Sequence, residues 1–299
     1  MKAWAKQWVT AALPRPLAVR LWSGRQYRRR TRDFLQGMPR AHGLPGELIV
    51  SLTSYPPRYP TLHLTLLGLL RQDTAADRIV LWLARGDEVS LPKAVRKLLG
   101  QGVELRLVED LRSYKKLVFA LAAFPDAWVA TADDDVFYKP DWLTWLVEGQ
   151  GGEHDSITCH RAHRLTQDAQ GRIAPYRDWI WDVEDAASRR PSVDVMPTGV
   201  GGILYPPGTL HPDVARRDLF ERYAPSADDL WFYWCARRAG TTYRKVGPTF
   251  VQMGWWSSQQ VRLFDDNIVQ NDAQIAMLAE RFGNPLAMPR RIGPAASGD

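Results

Sequence analysis

Three consecutive aspartates, Asp133, Asp134 and Asp135, follow a short apolar run and offer the clearest chemistry in the chain. Adjacent carboxylates repel one another unless water or a cation lies beside them. Mg²⁺ and Mn²⁺ bind such oxygens and complete their shells with water and substrate phosphate. In an extended chain Asp133 and Asp135 project to one side, which predicts a Mn²⁺ or Mg²⁺ site. The alternative is an acidic turn that caps a helix beginning near Pro140.

A second acidic pair, Asp228 and Asp229, opens a helical stretch that is rich in aromatic residues from Trp231 to Trp234. A carboxylate beside an apolar, Trp-rich surface has a raised pKa and suits a general base near neutral pH. The alternative is a helix N-cap, which fits Asp228 well. The pair therefore predicts either a proton acceptor or the start of a helix.

Short β-rich runs alternate with helical stretches from Glu47 onward. The predicted strands are Leu48–Thr53, Arg78–Ala84, Val103–Val108 and Ala127–Ala132. This alternation predicts an α/β fold with a largely parallel sheet flanked by helices. Ligands of such sheets bind beyond the carboxyl ends of the strands. Polar residues stand there after three strands, at 53–58, 109–116 and 133–135.

This order of elements, ending in Ala132-Asp133-Asp134-Asp135, resembles the nucleotide-sugar-dependent glycosyltransferases of the GT-A fold, in particular bacterial family 2-like members. The resemblance covers roughly Glu47 to Tyr243. It implies a Rossmann-like sheet and an Asp-x-Asp motif that holds a metal and the nucleotide sugar. The residues implied at the nucleotide sugar are Thr53, Ser54, Tyr55, Arg58, Asp110, Lys115, Lys116, Asp133 and Asp134, and those implied at the metal are Asp133 and Asp135.

The two lysines open the helix that follows the third strand, where the helix dipole and their own charge favour pyrophosphate. A solvated helix face is the alternative for either lysine. In the family, an acidic pair, usually Glu-Asp, opens a later helix, and its second member looks like the catalytic base. Asp229 matches that position, with Asp228 in place of the usual Glu. The resemblance thus implies Asp229, and secondarily Asp228, as catalytic residues.

A glycine-rich segment between the acidic motifs resembles the family's acceptor loop. It implies that Gly201 and Gly202 lie on the acceptor side, together with Trp231 of the aromatic helix. Glycines permit close backbone approach to a ligand, although a plain turn is the alternative reading.

Composition excludes several classes of protein. With 45% hydrophobic and 24% charged residues the chain is globular rather than disordered. Its apolar runs are too short to cross a bilayer. Two cysteines cannot form a disulfide framework, which favours a reducing compartment and a cytoplasmic location.

The first 40 residues carry ten Lys or Arg and one acid. Trp4 and Trp8 are four residues apart, which suits a basic amphipathic helix at an anionic membrane surface. A solvated extension is the alternative, and no nucleic-acid partner is expected because the usual reader motifs are absent. The predicted organisation is a basic helical N-terminal arm (1–46), a catalytic domain (47–284) and a C-terminal tail (285–299). Within the catalytic domain, about 47–150 form the nucleotide-sugar half and about 151–284 the acceptor half.

These features predict an enzyme, a metal-dependent glycosyltransferase. It would transfer a sugar from a nucleotide-diphosphate sugar to a carbohydrate or lipid-linked acceptor, with inversion implied by the resemblance alone. Capsule or lipopolysaccharide synthesis is the expected setting. The alternatives are a non-catalytic sugar-binding or degenerate transferase module, and a metal-dependent phosphatase with Asp133 as nucleophile.

Overall fold

A computed structural model describes residues 39–151, 155–255 and 264–291. Nine strands are present in this part of the chain. They are β1 (Leu48–Thr53), β2 (Arg78–Ala84), β3 (Val103–Val108), β4 (Trp128–Ala132), β5 (Ser156–Cys159), β6 (Ala162–Arg164), β7 (Val195–Pro197), β8 (Ile203–Tyr205) and β9 (Thr242–Lys245). Seven form one sheet in the order β3-β2-β1-β4-β8-β5-β9, and β6 pairs with β7.

All pairs in the large sheet are parallel except the two made by β8. The helices that flank it are α1 (Tyr59–Leu69), α2 (Lys93–Arg96), α3 (Lys115–Ala123), α4 (Trp142–Gln150), α5 (Arg217–Tyr223), α6 (Asp228–Arg238) and α7 (Phe264–Phe282). The α/β class and the largely parallel sheet are confirmed. In the described residues, no helix combines the length and apolar character needed to cross a bilayer.

Alternate residues of β1 belong to two hydrophobic clusters, one on each face of the sheet. Leu48, Val50 and Leu52 face a cluster that includes Leu62 of α1. Ile49 faces the opposite cluster, which includes Leu117 of α3 and Trp231 of α6. A strand buried on both faces reads as a continuous apolar run, which is how LIVSLT reads. Helices on both faces leave the edge beyond the carboxyl ends of the strands for polar residues.

The parallel register brings the ends of β1 and β4 together, because Leu52 pairs with Ala132. Residues after these two strands therefore meet at one edge, where the Ser54 hydroxyl donates to Asp134 at 2.5 Å. The helix α3 begins at Lys115, shortly after β3 ends, and delivers its first turn to the same edge. The lysine pair does open this helix, as the sequence predicts.

Residues near the predicted domain boundaries pack on the sheet domain. The Pro45 carbonyl accepts a hydrogen bond from the Trp128 indole at 2.8 Å. On the other side, the fully buried Arg237 donates to the carbonyls of Pro285 at 3.1 Å and Met288 at 2.6 Å. The segment 285–291 is thus held against α6, although the sequence assigns it to a tail.

Two predicted segments lie mostly outside the described residues: the basic arm, up to residue 38, and the C-terminal tail from residue 292. The predicted membrane contact, the predicted cytoplasmic location and the predicted division into domains stay predictions.

Candidate active site

The three aspartates after β4 have three different partners. Asp133 Oδ1 accepts from Lys116 Nζ at 2.9 Å. Asp134 is buried beside Ser54, and burial raises its pKa to about 7. Asp135 is ion-paired with the guanidinium of Arg58. The side chains thus diverge from one strand end toward α3, the end of β1 and the start of α1.

Lys116 connects the two acidic motifs. Its side chain is 8% exposed, and Nζ lies 2.9 Å from Asp133 Oδ1 and 3.5 Å from Asp228 Oδ2. Burial alone would lower the pKa of Lys116, but the carboxylates of Asp133, Asp228 and Asp229 outweigh burial and raise the pKa well above its usual value. The residue is therefore a fixed cation between the end of β4 and the start of α6.

Asp229 is held by the backbone of the glycine-rich loop. The Gly199 N–H donates to Asp229 Oδ2 at 2.9 Å. Its Oδ1 is buried and has no hydrogen-bond partner among the described residues. Burial, and then the neighbouring Asp228, raise the pKa of Asp229 to about 7, against the opposing effect of Lys116. One carboxylate oxygen is thus positioned and the other is available to a proton.

Gly199 packs closely against both charged groups. A Cβ at this position would lie 2.9 Å from Lys116 Nζ and 3.0 Å from Asp229 Oδ1. Both distances are shorter than ordinary van der Waals contact, so a larger residue would displace one of the two charged groups.

The raised pKa of Asp229 predicts a pH dependence of stability. The folded pKa of about 7 exceeds the ordinary value of 3.8, so between these pH values the folded protein holds a proton that the unfolded chain has released. This contribution to stability is complete below the unfolded pKa and is lost as pH rises through the folded pKa. We expect the stability of the wild type relative to Asp229→Asn to fall by up to about 1.4 kcal/mol per pH unit in this window. Urea denaturation of both proteins at pH 4.5, 6 and 7.5 measures the difference. A constant difference would contradict the raised pKa.

A cavity of about 310 Å³ opens beside these carboxylates. Asp133, Asp228 and Asp229 line one side of it. The remaining lining residues are Arg161, His163, Tyr176, Trp181, Met196, Thr198, Val200, Ser226, Ala227, Leu230 and Asn271. The cavity therefore places both acidic motifs beside an aromatic wall.

The other residues predicted at the nucleotide sugar lie along the carboxyl edge of the sheet. The Thr53 hydroxyl donates to the Trp82 carbonyl at 2.9 Å, and Tyr55 is 47% exposed just after β1. Asp110 accepts from the Arg112 N–H at 2.9 Å and is paired with Lys115. The hydrogen bond from Lys115 lowers the pKa of Asp110. Lys115 therefore pairs with Asp110 after the end of β3, whereas Lys116 pairs with Asp133 and Asp228 of the two acidic motifs.

The predicted acceptor residues are not the ones that face the cavity. Trp231 has no exposed surface, and its indole donates to the Val214 carbonyl at 3.0 Å. A side chain enclosed in the core cannot contact an acceptor, so this assignment needs correction. Gly202 packs against Trp142, whose indole donates to the Gly201 carbonyl at 2.8 Å, and Gly201 packs against Arg161. From the same loop, Val200 lines the cavity and Gly199 binds Asp229.

Two groups of site residues escaped the sequence analysis. Arg161 lines the cavity from the strand connection between β5 and β6, and Thr198 precedes the glycine loop. Tyr138 accepts from the Asp133 N–H at 2.8 Å. The one feature of the sequence that could have pointed to Arg161 is its position between His160 and His163, in a short polar segment.

Two carboxylates at the end of β4 provide hard oxygen donors of the kind Mg²⁺ and Mn²⁺ prefer. The prediction that Asp133 and Asp135 project to one side is wrong, because Asp133 is bonded to Lys116 of α3 and Asp135 to Arg58 at the start of α1. Within the described ranges, no group of three or more His, Cys, Asp and Glu residues is placed to hold a metal ion. A metal here would depend on substrate phosphate and water for its other ligands.

No protein-family model matches the chain, and no curated protein matches it. Among solved structures, it is similar to a mannosyltransferase, PcManGT from Pyrobaculum calidifontis, in complex with GDP-Man and Mn²⁺. The identity is 14%, the TM-score 0.44, and the match covers 84% of this chain and 69% of that one.

It is also similar to a 4-diphosphocytidyl-2C-methyl-D-erythritol synthase from Anaerococcus prevotii. Here the identity is 13% and the TM-score 0.44, over 77% of this chain and 96% of the other. A CMP:2-keto-3-deoxy-manno-octonic acid synthetase complexed with CTP matches at 11% identity and a TM-score of 0.39, over 69% and 93%. Similarities at these identities and TM-scores carry no conclusion about function.

Proposed function

We propose that this protein is a glycosyltransferase that moves a sugar from a nucleotide-diphosphate sugar to an acceptor hydroxyl. The observation that carries the proposal is the junction of two distant acidic motifs at Lys116. Asp133 at the end of β4 and Asp228 at the start of α6 both contact this ammonium, and Asp229 lines the adjoining cavity. A donor at the carboxyl edge of the sheet and an acceptor in the cavity would meet between these motifs.

Asp229 is the proposed base. An acceptor hydroxyl is a poor nucleophile until a positioned carboxylate removes its proton. As the acceptor oxygen bonds to the anomeric carbon, its proton passes to the Asp229 carboxylate, and the bond from that carbon to the diphosphate oxygen breaks with its electron pair. The Gly199 N–H fixes Oδ2, and Oδ1 has no hydrogen-bond partner among the described residues, so the carboxylate can hold the proton. A single displacement of this kind inverts the anomeric configuration.

The departing diphosphate needs positive charge nearby. Arg58 and Lys116 are the basic side chains paired with the aspartates at the end of β4. A bound Mn²⁺ or Mg²⁺ on Asp133 and Asp135 would add Lewis-acid stabilisation of that charge. The acceptor is proposed to be a carbohydrate, free or lipid-linked, as in cell-surface polysaccharide synthesis.

Nucleotide binding is the first test. We expect UDP, GDP or CDP with Mn²⁺ to raise the melting temperature, because a ligand of the native state stabilises it by mass action. At one hundred times Kd the gain is about 2.7 kcal/mol, or roughly 5 to 10 °C for a domain of this size. The double variant Asp133→Ala with Asp135→Ala should lose the shift.

The matched control is Asp87→Ala with Glu88→Ala, an acidic pair that follows the neighbouring strand β2. It should keep the full shift. If no nucleotide stabilises the folded wild type under any metal condition, the proposed donor site is refuted. Binding without turnover on a wide acceptor panel would instead favour a non-catalytic module.

A further inference from the structure

Part of the cavity wall is aromatic. Trp181 lies 5.2 Å from Tyr176 and 4.8 Å from His163, measured between ring centroids. Trp181 and Tyr176 are partly exposed, and both line the cavity. Burial, and then the charge of Asp229, raise the pKa of Tyr176 to about 12. This effect of Asp229 agrees with the position of both residues in the lining of one cavity. Flat rings suit the apolar face of a sugar ring.

A guanidinium lies beside this wall. Arg161 Nε is 2.7 Å from Asp182 Oδ1, and Nη1 donates to the Thr198 hydroxyl at 3.0 Å. No residue of the described ranges accepts from Nη2. The arginine is therefore fixed on two sides and keeps one nitrogen for a ligand that enters the cavity.

Asp182 has a strained backbone conformation that positions residues of this wall. Its φ of 50° is in the left-handed region, one of two such non-glycine residues in the described part of the chain. In this conformation the Asp182 N–H donates to His163 Nδ1 at 3.1 Å while its carboxylate holds Arg161. Strained residues persist where the surrounding structure fixes them, often at binding sites. The turn thus orients Trp181, Arg161 and His163 together.

The charges around the cavity disfavour an anionic ligand. Asp133 and Asp228 line it and share the ammonium of Lys116, and Asp229, whose pKa is about 7, adds a partial negative charge near neutral pH. Asp182 already neutralises Arg161. Burial lowers the pKa of His163 to about 4, so this ring is neutral at physiological pH. A ligand carboxylate or phosphate would meet a surplus of negative charge.

We propose that the wall formed by Tyr176, Trp181 and Arg161 is the acceptor subsite and that it binds a neutral sugar ring. The proposal rests on the proposed transferase function. The ring stacks on Trp181, Arg161 Nη2 donates to one of its hydroxyls, and a second hydroxyl faces Asp229. The charges around the cavity thereby favour uncharged glycosides over acidic sugars and sugar phosphates as acceptors.

Saturation-transfer NMR on the full chain tests this subsite. The probes are the methyl glycosides of glucose, galactose and mannose, with methyl glucuronide and glucose 6-phosphate as charged counterparts. We expect at least one neutral glycoside to bind and the charged probes to bind about tenfold more weakly or not at all. Trp181→Leu and Arg161→Gln should each weaken the neutral glycoside about tenfold. Trp181→Phe, which keeps a ring, should retain most of the binding.

Trp145→Leu is the matched control, because this tryptophan is 39% exposed on α4 and does not line the cavity. It should leave glycoside binding unchanged. The subsite is refuted if no neutral glycoside binds, if a charged probe binds as tightly, or if folded Trp181 and Arg161 variants bind like the wild type.

Nucleotide-induced melting shifts measured on the same samples separate the two proposals. Glycoside binding at Trp181 in a protein that binds no nucleotide would refute only the transferase function. Nucleotide binding without any neutral glycoside would refute only the subsite.

Discussion

Asp229→Asn is expected to slow sugar transfer by about 10³-fold while nucleotide binding is retained, since a positioned general base contributes 10²- to 10⁴-fold. Asparagine has almost the same shape, and its amide oxygen can still accept from the Gly199 N–H, which Asp229 Oδ2 binds at 2.9 Å. The buried position of Oδ1 would then hold a group that cannot take a proton. The loss should therefore appear in kcat rather than in donor affinity.

The rate of nucleoside diphosphate release, with and without acceptor, measures this loss. In the wild type kcat/KM should rise with pH to a plateau, with an apparent pKa near the value of about 7 of this carboxyl. Asp218→Asn is the control, because Asp218 lies in the first turn of α5 as Asp229 does in α6, but its side chain is 63% exposed. Unchanged turnover in Asp229→Asn would remove this residue from the mechanism.

The first half of the sheet could be predicted from the sequence. The edge strand β3 alternates apolar and charged residues, whereas β1, β2 and β4 are nearly continuous apolar runs. The predicted bounds of β1, β2 and β3 agree with the structure, and β4 begins one residue later than predicted. Strands buried on both faces leave this pattern whatever their neighbours are. The positions of Asp133 and Lys116 at the carboxyl edge follow from it.

The second half could not be predicted in the same way. The strands β6, β7 and β8 have three residues each, too few for a periodic pattern. The place of β8, antiparallel between β4 and β5, depends on pairing with residues far away in the chain. Arg161 and Trp181 reach the cavity only through these short strands and loops, so the sequence did not show that they lie near Asp229.

Trp231 shows the limit of an assignment carried over from a family resemblance. The resemblance implied that Trp231 lies on the acceptor side, but α6 is buried from Leu230 to Arg237. A helix that is apolar on every side belongs to the core rather than to a ligand surface. Trp181, an aromatic residue between the two acidic motifs, is partly exposed and lines the cavity. In the sequence, sugar stacking and core packing were equal alternatives for this residue, because its loop has no periodic pattern to indicate which side faces a ligand.

Lys116→Met is expected to lower the free energy of unfolding by about 3 to 5 kcal/mol at pH 8, the usual cost of removing one partner from a buried ion pair. The variant leaves Asp133, Asp228 and Asp229 together without the ammonium that lies 2.9 Å from Asp133. Because Lys116 lowers the pKa of Asp229, its loss should also raise that pKa and move the pH profile of activity upward. Urea denaturation at pH 5.5 and 8 should show a smaller loss at the lower pH, where the carboxyls can be protonated.

Lys93→Met is the matched control, since Lys93 also opens a helix, α2, but is exposed. The double variant Lys116→Met with Asp228→Asn distinguishes charge from packing. If the loss arises from unbalanced carboxylates, removing one of them should restore part of the stability, and a double-mutant cycle should give a coupling of at least about 1 kcal/mol. If both changes are additive, or if Lys116→Met unfolds like Lys93→Met, Lys116 does not join the two acidic motifs energetically. The contact of both acidic motifs with Lys116, which carries the proposed transferase function, would then have no energetic basis. Strong coupling would show that Lys116 links the motif proposed for the donor to the motif proposed for the base.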